Sequence, residues 1–166
     1  YDQTGALRDM VQNHALQLLC AIGMEPPINS SANAIRDEKL KVLQSLKPWS
    51  METIGQHVIR GQYAAGNVHG TPVPGYLQEK GVAPGSTTET FVALRTEISN
   101  WRWAGVPFYI RTGKRLAGRD AHIAVNFRPV PHPIFKTPAG AANRLVINLQ
   151  PKDGLELHRS EERRVG

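Results

Sequence analysis

The sequence predicts an α+β domain in which N-terminal helices pack on one face of a mainly antiparallel β-sheet. Two segments with apolar residues at helical spacing come first, residues 5–24 and 32–46. The segments that follow are rich in β-forming residues and have no helical pattern between them. Strands in direct succession pair antiparallel, and helices outside that succession cover one face of the sheet.

Both helices are bounded by residues typical of helix ends. The first ends at Gly23 and the Pro26-Pro27 pair, and Ser30 or Ser31 caps the second. The predicted buried stripe of the first helix is Leu7, Val11, Leu18, Leu19 and Ile22. That of the second is Ile35, Leu40, Leu43 and Leu46.

The second part of the chain predicts strands. They span residues 57–63, 90–98, 107–111, 121–127 and 145–149. Residues 64–88 are rich in glycine and proline, which predicts a long loop of functional interest. The sequence Thr112-Gly113-Lys114 turns the chain at the end of the third strand.

The composition excludes several classes of protein. The 166 residues are 40% hydrophobic and 20% charged, which is typical of one soluble globular domain. No apolar run is long enough for a membrane span. Cys20 is the single cysteine, so a disulfide framework and a cysteine zinc site are excluded, and a reducing, cytoplasmic compartment is expected. The sequence has neither G-x-G-x-x-G nor a Walker loop.

Positive charge is concentrated in one segment. The net charge is +6, and between Arg95 and Lys136 eight basic residues stand against Glu97 and Asp120. Such a segment attracts phosphate esters, nucleic acid or acidic protein surfaces, and charge alone does not choose among them.

Two features have the residue types needed for chemistry. His14, on the flank of the first helix, is either a half-buried core histidine or a general base. The turn R-T-G-K-R-L (111–116), with Arg119 close behind, is either a basic hairpin end or a phosphate clamp. The other histidines lack metal-ligand spacing, so no metal site is expected.

Motifs along nearly the whole chain, to about Leu157, resemble the C-terminal part of glucose-6-phosphate dehydrogenases. They are R-D-M-V-Q-N-H-A-L-Q-L-L (8–19), R-D-E-K-L-K-V-L (36–43), G-Q-Y (61–63), G-Y-L (75–77), P-G-S-T-T-E-T-F (84–91), W-A-G-V-P-F-Y-I-R-T-G-K-R-L (103–116) and L-V-I-N-L-Q-P (145–151). The resemblance implies a truncated form of that family's domain over residues 1–157, with residues 158–166 as an unmatched, truncated or foreign end.

The resemblance also implies an activity and a set of site residues. His14 matches the base that takes the proton from the C1 hydroxyl of glucose 6-phosphate, while hydride passes to NADP to give 6-phosphogluconolactone. The positions that match substrate contacts are Asp9, Lys114, Arg119 and Gln150. The family also implies a homodimer or homotetramer formed through the sheet, with neither nucleic acid nor membrane as a partner.

Departures from the family pattern define further expectations. The nucleotide-binding half and the D-H-Y-x-G-K-E segment, which supplies the carboxylate that orients the base, are not in this sequence. NADP is therefore expected to be bound mainly outside this chain, and the isolated chain is expected to be inactive. Arg111 matches a second, structural NADP site of some members, but Asp120, Ala124 and Asn148 replace basic residues of that site.

Two alternatives remain open from the sequence. A basic nucleic-acid-binding module would explain the concentrated positive charge but not the histidine or the Gly-Lys turn. A non-catalytic, sugar-phosphate-binding relative would keep the fold alone.

Overall fold

The computed structural model describes residues 1–68, 70–129, 131–132 and 142–159. Lys136 and most of the predicted 158–166 tail lie outside the described residues. The chain divides into two compact units, Tyr1–Arg115 and Leu116–Gly166. No helix among the described residues is long and apolar enough to cross a membrane.

The first unit begins with helices. A π-helix, Leu7–Ala15, continues directly into α1, Leu16–Gly23, and is followed by α2, Ala32–Gln44, and the short α3, Ile54–His57. The Ser31 hydroxyl accepts a hydrogen bond from the Ala34 N–H at 3.2 Å, which confirms the predicted N-cap of the second helix.

Three strands of the first unit form an antiparallel sheet in the order β1–β4–β5. They are β1, Val58–Gly61; β4, Phe91–Glu97; and β5, Pro107–Gly113. The predicted 64–88 loop also holds regular structure: a small hairpin of β2, Gly66–Val68, with β3, Thr71–Val73, and a 3₁₀ turn, Tyr76–Gln78. Strands of three residues are too short to show an alternating pattern, so this hairpin was not predicted.

The second unit contains an antiparallel sheet in the order β6–β7–β8. Its strands are Ala121–Asn126, Arg144–Gln150 and Gly154–His158. The first two confirm the predicted strands, and β8 was not predicted. Every strand pairing in the described residues is antiparallel, which confirms the predicted fold class.

The helices pack on one face of the β1–β4–β5 sheet through two apolar clusters. The first is formed by Ala6, Val11, Val92 and Leu94, and the second by Leu19, Cys20, Val42 and Ile98. Leu16 and Ile110 contact both clusters and so join them into one layer. Trp103 extends this layer, since its indole N–H donates to the Gly23 carbonyl at 2.9 Å and its ring packs edge-on against Phe108.

The buried stripes differ from the prediction in both helices. Leu7 and Leu18 are exposed, because the π segment changes the spacing of the buried positions. In the second helix, Leu40 and Leu43 are exposed and Val42 is buried. A Cβ at Gly23 would lie 3.2 Å from Val42, so the close approach of α1 at this glycine selects Val42 for the contact.

Candidate functional site

The helix that carries Asp9 and His14 has π geometry. The Leu16 N–H donates to the Val11 carbonyl, five residues earlier. Ala6, Val11 and Leu16 pack into the core at the same five-residue spacing. Asp9 and His14 are also five apart; they would lie about 140° apart around an α-helix, whereas a π turn places such residues near one another in projection. The π segment therefore turns Asp9 and His14 toward one side of the helix.

His14 is exposed on this helix. The alternative of a half-buried core histidine is therefore wrong for this chain. Within the described residues the imidazole has no hydrogen bond or ion pair. The ring is accessible to solvent.

The Tyr1 ring contacts one of the predicted substrate-binding residues, Lys114. Burial, followed by the charges of Glu89 and Asp9, raises the pKa of Tyr1 to about 12. The Lys114 Nζ lies 4.2 Å from the centroid of the same ring, in a cation–π contact. The structure thus brings Lys114 to the N-terminal residue, although the two are far apart in sequence.

Lys114 occupies the predicted turn directly after β5. Its N–H donates to the Thr90 carbonyl at 2.8 Å, which fixes the turn against the start of β4. The next residue, Arg115, has a φ of 54° and forms an ion pair with Glu79. In the part of the chain that the structure describes, Lys114 has no carboxylate partner, so its ammonium group is available to an anion. The guanidinium of Arg115, by contrast, is engaged by Glu79.

Glu89 contacts the start of the same helix and was missed by the sequence analysis. Its Oε1 accepts the Leu7 N–H at 2.8 Å, and its carbonyl accepts the Ala6 N–H at 2.9 Å. A Cβ at Gly5, where φ is +70°, would overlap this carboxylate. The glycine just before the helix was the one trace of this approach in the sequence.

Asp2 ties the N-terminal segment to the segment before β4. Its carboxylate accepts the hydroxyls of Tyr76 at 2.6 Å and Ser86 at 2.5 Å, and the Ala83 N–H at 3.2 Å. These hydrogen bonds, that of Ser86 foremost, lower the pKa of Asp2 to about 2. The Ser86 hydroxyl thus has a structural partner.

We expect Asp2 to make stability depend on pH in the acid range. Its pKa is about 2 in the folded chain against an ordinary 3.8, so its contribution is complete above pH 3.8 and is lost as the pH falls to about 2. Asp2→Asn should lower the urea midpoint at neutral pH and flatten its dependence on pH within that window. Urea unfolding followed by circular dichroism tests this, with the exposed Asp153→Asn as the matched control. Parallel curves for the parent and Asp2→Asn would contradict the assignment.

Arg119 and Gln150 belong to the second unit, where they lie at the same end of one strand pair. Gln150 ends β7 and is opposite Ala121, the first residue of β6, in the register of the sheet. Arg119 is two residues before Ala121, and both site side chains are exposed. The register therefore brings a cation and an amide together at this sheet end.

The residues matched to a structural NADP site do not fit such a ligand. Arg111 is an exposed cation in the middle of β5. The Asp120 carboxylate lies 3.0 Å from His122, and the Asn148 amide donates to Glu156 at 2.5 Å. The Ala124 side chain has no polar atom. These positions therefore supply no cluster of cations for a phosphate. Among the described residues no group of His, Cys, Asp and Glu side chains is placed to hold a metal ion.

Comparisons with known proteins agree with one another. The profile of the family described as "Glucose-6-phosphate dehydrogenase, C-terminal domain" matches residues 1–165. A glucose-6-phosphate 1-dehydrogenase of Rhizobium meliloti strain 1021 is 58% identical over 160 residues, which cover 94% of this chain and 32% of that protein. One of Aggregatibacter actinomycetemcomitans is 54% identical over 157 residues, or 95% of this chain and 32% of the relative.

Solved structures give the same result. A glucose-6-phosphate dehydrogenase in complex with its substrate glucose 6-phosphate is 37% identical, with a TM-score of 0.80 over 94% of this chain and 31% of that one. A glucose-6-phosphate 1-dehydrogenase from Mycobacterium avium is 38% identical, with a TM-score of 0.82 over 100% of this chain and 35% of that one. The chain spans about a third of the length of the relatives it matches.

Proposed function

Because the chain belongs to the glucose-6-phosphate dehydrogenase family, as its C-terminal domain, we propose that it forms the substrate-binding and oligomerisation part of an enzyme that oxidises glucose 6-phosphate at C1. One observation carries the proposal to specific residues. Glu89 binds the start of the helix that carries Asp9 and His14, and the adjacent Thr90 binds the backbone of Lys114 in the Gly-Lys turn. The helix of the candidate base and the turn of the candidate phosphate-binding cation are thus held by neighbouring residues of the first unit.

In the proposed reaction His14 acts as the general base. Its neutral imidazole takes the proton of the C1 hydroxyl as the hydride leaves C1, so the C1–O bond becomes a carbonyl and 6-phosphogluconolactone forms. Histidine suits this step because its ordinary pKa is near neutral pH. NADP, which would be held mainly by residues outside this chain, would accept the hydride.

The remaining site residues bind and orient the sugar phosphate. Asp9 accepts hydrogen bonds from sugar hydroxyls, and the Lys114 ammonium pairs with the phosphate as a point charge. Arg119 and Gln150, a cation and an amide of the second unit, are further proposed substrate contacts on the resemblance alone. Asp9 is half-buried and the other proposed site residues are exposed, which supports the availability of these side chains to a ligand.

We place the enzyme in the cytoplasm and expect it to assemble as a homodimer or homotetramer through its sheet. The face of β1–β4–β5 opposite the helices exposes Ile59 and Tyr109, at 65% and 73%. They lie beside Arg95 and Arg111, which supports a contact surface of mixed apolar and charged character. Cys20 is a buried free thiol whose pKa is raised by burial, which is compatible with a reducing compartment.

A chimaeric enzyme tests the proposal. This chain replaces the matching third of the Rhizobium meliloti relative, and we expect the product to reduce NADP with glucose 6-phosphate while the purified chain alone does not. The unmodified relative is the activity control, and circular dichroism confirms folding. A folded but inactive chimaeric enzyme would refute the proposed activity. NADP reduction by the isolated chain would refute the view that the orienting carboxylate lies outside it.

A further inference from the structure

Two consecutive residues connect the helix of the candidate base with the candidate phosphate-binding turn. Glu89 accepts the Leu7 N–H through its side chain and the Ala6 N–H through its carbonyl, at 2.8 and 2.9 Å. Thr90, which is fully buried, accepts the Lys114 N–H through its carbonyl at 2.8 Å. The helix and the turn are therefore held by adjacent peptide units.

The helix start depends on Glu89 because it has no local cap. Ala6 occupies the N-cap position, and its side chain has no acceptor for the free N–H groups of the first turn. A carboxylate is favourable there because it accepts those N–H groups and complements the partial positive charge of the helix end. This carboxylate comes from a residue 82 positions away, so it fixes where the helix stands on β4.

Gly5 shows that this contact is close. It has a φ of +70°, a conformation that side chains with a Cβ rarely adopt, and any Cβ there would overlap the Glu89 carboxylate. The backbone at Gly5 and the Glu89 carboxylate thus leave no room for an intervening side chain. Glu89 also contributes, with Asp9, to the raised pKa of Tyr1, whose ring contacts Lys114.

We propose that Glu89 is a positioning residue of the site. Its carboxylate holds the helix of Asp9 and His14 in place relative to the Lys114 turn, which the neighbouring Thr90 anchors. This proposal rests on the proposed function. The Glu89 carboxylate is engaged by the helix start, so its loss should misplace the base more than it weakens sugar-phosphate binding.

Glu89→Ala and Glu89→Gln in the chimaeric enzyme separate positioning from general structural support. Glu89→Ala should lower kcat about 10- to 100-fold with KM changed less than about threefold, because small misplacements of a reacting group are costly. Glu89→Gln keeps an oxygen acceptor for the Leu7 N–H and should restore most of kcat. Glu52→Ala, at an exposed position, is the matched control.

Amide hydrogen exchange provides a readout that does not depend on activity. In Glu89→Ala the Leu7 amide should exchange at least about tenfold faster, while amides in the middle of α2 stay protected. Unchanged exchange at Leu7, unchanged kcat in Glu89→Ala, or equal loss in Ala and Gln variants would each overturn the proposal. Failure of the proposed function is seen separately, as an inactive folded chimaeric enzyme, and the exchange result still decides the role of Glu89.

Discussion

Replacement of His14 with asparagine in the chimaeric enzyme is expected to lower kcat by about 10²- to 10⁴-fold, the usual contribution of a general base. Asparagine keeps a polar side chain of similar size on the exposed side of the π-helix but cannot accept the C1 hydroxyl proton at neutral pH. KM for glucose 6-phosphate should change less than about threefold, because the interaction is made in the transition state. Steady-state kinetics with NADP measures both constants.

The control for this variant is Asn13→Ala, which changes the exposed neighbour on the same helix. Its kcat should stay close to that of the parent. A large rise in KM with normal kcat for His14→Asn would show that His14 binds the sugar and is not the base. Normal values of both constants would remove His14 from the site altogether.

Replacement of Lys114 with alanine should raise KM for glucose 6-phosphate far more than KM for free glucose. Hydrogen bonds to charged groups contribute about 1.5–3 kcal/mol, which corresponds to roughly 10- to 100-fold in affinity. Free glucose has no phosphate to lose contact with, so its KM should change little. The measurement is the ratio of kcat/KM for glucose 6-phosphate to kcat/KM for free glucose, compared between the parent and the Lys114→Ala variant.

Two further variants separate charge from packing at this position. Lys114→Arg keeps the positive charge beside the Tyr1 ring and should retain most of the discrimination for the phosphorylated sugar. Lys80→Ala removes an exposed lysine from the first unit and should leave both sugars unaffected. Equal losses for both sugars in Lys114→Ala would rule out a phosphate contact.

The order of helices and strands could be predicted because it follows from local periodicity. The alternation of residues 90–98 corresponds to β4, and the change from helical to alternating spacing marks the start of the sheet. The buried face of the first helix was not predictable in the same way. A spacing of 3.6 residues correctly assigns Val11 and Leu19 to the core. It also assigns Leu7 and Leu18, which are exposed, and it leaves out Ala6, which is buried at the start of the π segment.

The site residues were predictable only where they belong to sequence motifs that resemble the family. Asp9, His14 and Lys114 lie in motifs that could be recognised, but the contacts that arrange them are long-range. Glu89 meets Leu7 across 82 positions, and no local pattern encodes such a pairing. Tyr1 likewise has no neighbours in sequence that indicate its contact with Lys114.

The strand β8 has a practical consequence for work with the purified chain. In the part of the chain that the structure describes it pairs on one side only, with β7, and all five of its residues are exposed. Free backbone donors and acceptors beside the exposed side chains of Leu155 and Leu157 form a template for strand addition by another molecule. Overexpression of the chain by itself therefore favours insoluble material. Measurements on the purified chain are best made at low concentration.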